Sequence, residues 1–210
     1  MAAIGGFYGG FWDTGEQEAA LEGIFQAQQD RGAVSAGRVW GNLEETAAGG
    51  VAQMHMSARK EQEEHECFWE WRNAGRRAAV LLDGEFYNSG ELRSALKEQG
   101  EKLETDGDAE LAGRMYLCYG PEFVKQLNGV FAMAVLDLDK KMIFLYRDRM
   151  GVKPLFYTFW KDRLYFASRI KGLLACPGIQ PEIGLEGLNE IFSVGPARTP
   201  GNGVLKGIFE

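Results

Sequence analysis

Residues 127–157, LNGVFAMAVLDLDKKMIFLYRDRMGVKPLFY, decide the fold. From Gly129 onward the apolar residues come in short runs: Val130 to Asp137, Met142 to Arg147, then Leu155 to Phe159 and Leu164 to Ser168. Turn residues separate them, notably Asp139-Lys140-Lys141 and Lys161-Asp162, so the spacing predicts strands joined by tight turns. Upstream, Ala78 to Leu82 is a continuous apolar run, which reads as a buried strand feeding Asp83-Gly84-Glu85. Asn88 is placed to cap a helix with Leu92, Ala95 and Leu96 on one face, and Gly100 stops it. A second helix starts near Thr105 to Asp108 and carries Leu111, Met115 and Cys118, and Pro121 opens a short third one.

Working outward, Ile4 to Phe11 reads as a buried, Gly-rich strand, and Thr14 with Gln17 forms a capping box. The helix it opens has Leu21, Ile24, Phe25 and Gln28 on one face. Val39 to Trp71 reads as several antiparallel strands, with Arg59 to Glu66 as a solvated loop. The tail from Ile170 to Glu210 holds two short helices and a Pro/Gly-rich run, Gly195 to Gly203. Strands, then helices, then strands again predict an α+β protein with mainly antiparallel sheets.

Composition bounds the function. The chain has 210 residues, 45% hydrophobic and 25% charged, which suits one large domain. A net charge of −7 argues against nucleic acid or an anionic membrane as partner. MAAIGGFYGG at the N-terminus has no basic n-region, and the longest apolar run falls far short of the roughly 20 residues that span a bilayer. Cys67, Cys118 and Cys176 lack CxxC spacing and read as reduced thiols of a cytoplasmic protein, and two histidines are too few for a His-rich metal site. No metal is expected.

Four segments, LLDGEFYN (81–88), TDGDAE (105–110), LNGVFAMAVLD (127–137) and RDRMGVKPLFY (147–157), together resemble the class II glutamine amidotransferases, which are N-terminal-nucleophile hydrolases. FASRIKGLLA (166–175) and VLKGIF (204–209) narrow the resemblance to the asparagine-synthetase branch. The resemblance implies a four-layer αββα sandwich of two antiparallel sheets flanked by helices. It implies an amidotransferase-like domain over 1–195, with 196–210 starting a linker to a synthetase domain beyond Glu210. ATP and Mg²⁺ are expected only in that synthetase domain, and the chain itself shows no P-loop or GxGxxG and no cofactor is expected in it.

The same resemblance assigns a site, and several of its positions are changed. The family's nucleophile is the cysteine after the initiator Met, activated by its own α-amine; here it is Ala2, followed by Ala3. Loss of a covalent nucleophile removes about 10⁶ in turnover. The carboxylate-binding arginine corresponds to His55 of HMSA (55–58), a poor substitute for a bidentate guanidinium; the plainer reading is an ordinary strand residue. The oxyanion-hole asparagine corresponds to Asp83, which as a carboxylate donates no hydrogen bond, leaving the Gly84 N–H as half a hole. Glu85 and Asp108 match the pocket acids. Asp108 is expected to hold a substrate ammonium, its alternative role being a helix cap. Asp30-Arg31-Gly32-Ala33-Val34 keeps only the Arg-Gly of a His-Arg-Gly-Pro-Asp segment.

The expected function is therefore the glutaminase-like domain of an asparagine-synthetase-type ligase, a pseudoenzyme by natural loss that acts as a scaffold. Two alternatives are a genuine glutaminase domain with its cysteine replaced, and a binding module reusing the old pocket. The expected partners are the synthetase domain of the same parent, glutamine or another small ligand, and a second copy in a homodimer.

Overall fold

The computed structural model of the chain describes residues 3–9, 14–28, 52–57, 67–73, 76–193 and 203–210. They form two antiparallel sheets with flanking helices, the mixed α+β class read from the runs. Ala2, the Asp30–Val34 segment, the Arg59–Glu66 stretch and the Pro/Gly run up to residue 202 fall outside the described residues. The chain divides into two compact units, one centred on Met56–Lys153 and the other on Gly5–Gln28, Val39–His55 and Pro154–Glu210.

In the first unit, β3 (Phe68–Asn73), β4 (Arg76–Phe86), β5 (Gly129–Asp137) and β6 (Met142–Arg147) follow one another across a four-stranded sheet. Pairing with β5 carries β4 beyond its apolar run, with Asp83 opposite Ala132, Gly84 opposite Phe131 and Glu85 opposite Val130. The segment with turn-like composition is thus strand, because a continuous ladder satisfies its backbone better than a turn would. Side chains alternate across the sheet. Val80, Leu82, Phe86, Phe131, Met133 and Val135 join one core with Leu92 and Leu96 of α2 (Ser89–Glu98) and Leu111 and Met115 of α3 (Asp108–Tyr119). Ala79, Leu81, Asp83, Ala132, Ala134 and Leu136, on the other face, are buried as well, as a continuous apolar run requires.

Three helix details differ from the sequence reading: Ala95, expected on one face with Leu92 and Leu96, is exposed, and Asn88 and Cys118 also depart from it. Asn88 precedes α2 but makes no side-chain cap; its amide bonds Gln126 O and accepts from the Asn128 N–H, both at 3.0 Å. Those backbone groups return to β5 and have no helical partner of their own, so the side chain serves them instead. Cys118 is exposed, since α3 is buried all round from Ala109 to Tyr116 and emerges only in its last turn. Pro121 opens a 3-10 turn, Gly120–Gln126, whose Phe123 packs edge-on to Tyr116 at 6.1 Å between centroids.

In the second unit, β1 (Ala3–Tyr8), β2 (Ala52–Ser57), β7 (Phe156–Trp160), β8 (Arg163–Ala167) and β9 (Ile208–Phe209) are arranged in the order β2-β1-β8-β7-β9. Lys161 and Asp162, both at positive φ (49° and 60°), close the β7–β8 hairpin at the turn residues the sequence marks. Helix α1 (Thr14–Gln26) buries Leu21 and Ile24, and Gln28 just beyond it is buried too, while Phe25 is only half-buried. Helix α4 (Ile170–Leu174) adds Leu173 to the same core, and α5 (Leu185–Ser193) completes the unit's described helices. Cys176 sits in this core as a thiol, and burial pushes its pKa up to about 12. Among the described residues no helix is long and apolar enough to cross a membrane, and no group of three His, Cys, Asp or Glu residues could hold a metal ion.

Candidate functional site

The C-terminal end of β4 carries Asp83, Gly84 and Glu85, and the loop after β6 closes on it. Asp83 is 1% exposed, and its Oδ1 accepts a hydrogen bond from Lys153 Nζ at 2.8 Å. Lys153 is itself largely buried, so this is a desolvated ion pair and not a surface contact. A carboxylate held this way is an acceptor for a cation. It has no proton to offer an oxyanion.

Lys153 is delivered by a loop built around one carboxylate. Asp148 accepts from the backbone N–H groups of Met150 (3.1 Å), Val152 (3.0 Å), Lys153 (3.0 Å) and Phe131 (3.3 Å). Burial alone would raise its pKa; the four N–H donors outweigh burial and hold it below the usual carboxylate range. Arg147 braces the same loop from its side chain, donating to Lys153 O at 3.0 Å and Gly151 O at 2.9 Å. The Arg-Asp pair of RDRMGVK is therefore an internal clamp, and Lys153 is the group it presents.

Gly84 is fixed by close packing. Its φ is +147°, and a Cβ there would overlap Val130 O and Phe131 Cα. Phe131 bonds Asp148 through both its N–H and its C=O, so it turns its backbone polar groups away from β4. By strand alternation the Gly84 N–H also points away from β5, on the side where Phe86 N–H points and past the last β3 partner, Phe68.

Asp108 occupies that side. Its Oδ2 accepts from Phe86 N–H at 2.7 Å, and its Oδ1 lies 3.6 Å from Arg93 Nη2. Burial raises its pKa, partly offset by the Phe86 N–H and by Arg93. Arg93 also donates to the carbonyls of Thr105, Asp106 and Gly107, at 3.0, 2.8 and 2.9 Å, which anchors the approach to α3. The N-cap of α3 is Gly107, so Asp108 is the helix's first residue and ties it to the end of β4. Glu85, in contrast, is exposed.

His55 belongs to β2 through its backbone, and its side chain lies outside the described residues, as does the whole of Ala2. The structure thus brings together Asp83, Gly84, Glu85 and Asp108 of the sequence-assigned set. It adds Lys153, Asp148 and Arg93, which sequence reasoning did not single out; the RDRMGVK segment contained two of them but gave no sign of their partners. A cavity of about 450 Å³ opens at the ends of β4, β5 and β6, with Tyr87, Asn128, Phe131, Asp148, Met150 and Val152 among its walls; Asp83 and Asp108 do not line it.

Comparison with known proteins agrees with this frame. Asparagine synthetase [glutamine-hydrolyzing] 3 of Bacillus subtilis (strain 168) is 43% identical over 131 residues, 62% of this chain and 21% of that protein. Asparagine synthetase [glutamine-hydrolyzing] 2 of the same organism is 39% identical over 119 residues, 56% of this chain and 16% of that protein. The matched stretches span about a fifth of these relatives' length. Among solved structures, the glutamine phosphoribosylpyrophosphate amidotransferase of B. subtilis superposes with a TM-score of 0.62 over 86% of this chain and 45% of that one. At 15% identity that likeness shows the fold alone. The glutamine amidotransferase domain family matches the chain over residues 1–210, and the chain belongs to that family.

Proposed function

We propose that the chain is the glutaminase-like domain of an asparagine-synthetase-type, ATP-dependent amide-forming ligase, that it does not hydrolyse glutamine, and that it serves the synthetase domain as a cytoplasmic scaffold. One observation carries this reading. The position that the family resemblance gives to an oxyanion donor holds Asp83, buried and paired to Lys153 at 2.8 Å. A tetrahedral oxyanion formed beside that carboxylate would be repelled by it, and loss of one donor alone costs about 3–4 kcal/mol of transition-state stabilisation. Ala2 adds the absence of a nucleophilic side chain. ATP and Mg²⁺ belong, on this reading, to the synthetase domain.

Glutamate release from glutamine tests the proposal in the wild type, Ala2→Cys, and Ala2→Cys with Asp83→Asn. Wild type and Ala2→Cys are expected to stay at the uncatalysed rate. Robust turnover by Ala2→Cys alone would mean a working glutaminase that lacks only its cysteine. A retained Asp108 favours that second reading. Calorimetry separates the two, since micromolar glutamine binding supports it and no binding supports the scaffold.

A further inference from the structure

We infer that a cavity at the far end of the four-stranded sheet is a binding site for a free α-amino acid, separate from the family site and independent of whether that site hydrolyses glutamine. The cavity, about 370 Å³, opens where β4 begins and β5 ends, against the last turn of α3, with Arg77, Tyr116, Leu117, Asp137, Asp139 and Lys140 among its walls. Arg77 stands six positions before Asp83 on β4. At about 3.3 Å per residue, roughly 20 Å of strand therefore separates this cavity from the Asp83–Lys153 pair.

Buried polar groups make its floor. Asp137 is 6% exposed and Tyr116 2%. The Tyr116 hydroxyl donates to Asp137 Oδ2 at 2.6 Å, and the Lys140 N–H donates to Oδ1 at 2.9 Å. Lys140 Nζ lies 3.3 Å from Asp137 Oδ2 and 3.4 Å from the Tyr116 oxygen, 5.2 Å from the centre of that ring. Both contacts are long for a charge-assisted bond, whose usual length is about 2.7–2.9 Å, so the ammonium keeps donor capacity for a ligand. Its side chain is half in water, unlike the two groups beneath it.

The rim carries two charges that do not cancel each other. Asp139 Oδ2 accepts from the Arg77 backbone N–H at 2.7 Å, and the Leu138 N–H donates to Arg77 O at 3.0 Å, which fixes the two rim residues side by side. Even so, the Arg77 guanidinium makes no ion pair with Asp139 and has no hydrogen-bond partner among the described residues. A guanidinium fork matches a carboxylate, and a carboxylate oxygen accepts from an ammonium. A bare anion here would meet Asp137 and Asp139, and a bare cation would meet Arg77 and Lys140. A zwitterion satisfies both signs, with its α-carboxylate on Arg77 and its α-ammonium on Asp139 Oδ1. The volume leaves room for a side chain, to which Lys140 Nζ offers a donor, so a neutral side chain with an oxygen acceptor suits it best.

Amide-resolved NMR titration of the 210-residue chain with L-serine tests this, with acetate and methylamine as the two halves of the ligand. Saturable shifts centred on Ala78, Gly120 and Asp139 are expected with L-serine, and binding at least about tenfold weaker with either half. Arg77→Gln and Asp139→Asn change exposed side chains, so both are expected to melt like wild type. Each should weaken L-serine by about tenfold or more. Arg77→Lys, which keeps the charge and loses the fork, checks the carboxylate contact independently. In Asp108→Asn the same shifts are expected, because that residue belongs to the other end of the sheet. Absence of saturable shifts up to about 50 mM would overturn the site. So would halves that bind as tightly as the whole, or undiminished affinity in all three rim variants. Shifts that centre on Gly84 to Phe86 and vanish in Asp108→Asn would assign the ligand to the family site, which also overturns the proposal.

Discussion

The loop after β6 and the helix α5 are both short, glycine-containing segments, and they end in opposite states. In 147–153 every strong polar group identified finds a partner inside the unit: Asp148 takes four backbone N–H groups, Arg147 two carbonyls, and Lys153 the Asp83 carboxylate. In 183–192 the N–H groups of Gly184 and Leu188 are bonded to backbone carbonyls, while Leu188 is half-buried and Ile183, Leu185 and Phe192 stay largely exposed. In the first region the polar groups are engaged internally, although Asp148, Met150 and Val152 also wall an open cavity. The second keeps large apolar side chains in water.

That contrast can be broken or sharpened by measurement. The largest effect is expected for Gly84→Ala, which forces β4 away from β5 and should cost about 4 kcal/mol or more, read from urea unfolding. A cost under about 1 kcal/mol would show that the crossing relaxes easily. Next, Lys153→Met takes the ammonium away from the buried Asp83 carboxylate and should cost about 3 kcal/mol, most of it recovered when Asp83→Leu is added. If the double variant is no better than the single one, the pair is not the closed unit described.

A third effect follows from pH. The carboxyls of Asp148 and Asp137 are held below their ordinary range: burial opposes this in both, and Asp148's four N–H donors, and Tyr116 and Lys140 around Asp137, outweigh it. A folded pKa below the unfolded one, about 3.9, gives stability that is fully present above the unfolded value. It is lost as pH falls through the folded pKa. Stability read from urea unfolding should therefore fall as pH drops below about 4, and Asp148→Asn should be less stable at pH 7 but flatter with pH. The smallest effect belongs to the open region: Leu185→Glu/Phe192→Glu in the 210-residue chain should stay within about 0.5 kcal/mol of wild type.

Much of the frame was legible beforehand. Met142–Arg147 is a strand to the residue, and β5, β7 and β8 differ from their apolar runs by a residue or so, because strand limits there coincide with charged turns. The composition of Asp83-Gly84-Glu85 suggested the end of a strand, and only its pairing with β5 shows that the ladder continues to Phe86. The Lys153–Asp83 pair could not be read at all. The two residues are 70 positions apart, and their meeting depends on the shape that Asp148 gives its loop. Asp108 was legible as a residue to watch; its bond to Phe86 N–H was not, since that donor becomes available only because β3 stops at Phe68. Likewise the exposure of Cys118 depends on where α3 leaves the core, which periodicity alone does not mark.

The tightness of the strand crossing at Gly84 has a consequence for anyone sorting related chains into working and silent glutaminases. The glycine's N–H is the half of the oxyanion hole that the resemblance leaves in place, so its presence invites a reading of retained activity. Yet any side chain there would strike Val130, so packing would demand glycine even in a protein that never met glutamine. As a diagnostic mark, residue 84 therefore carries no information about turnover. On the proposed function, the neighbouring Asp83, with its Lys153 partner, is the residue to compare instead.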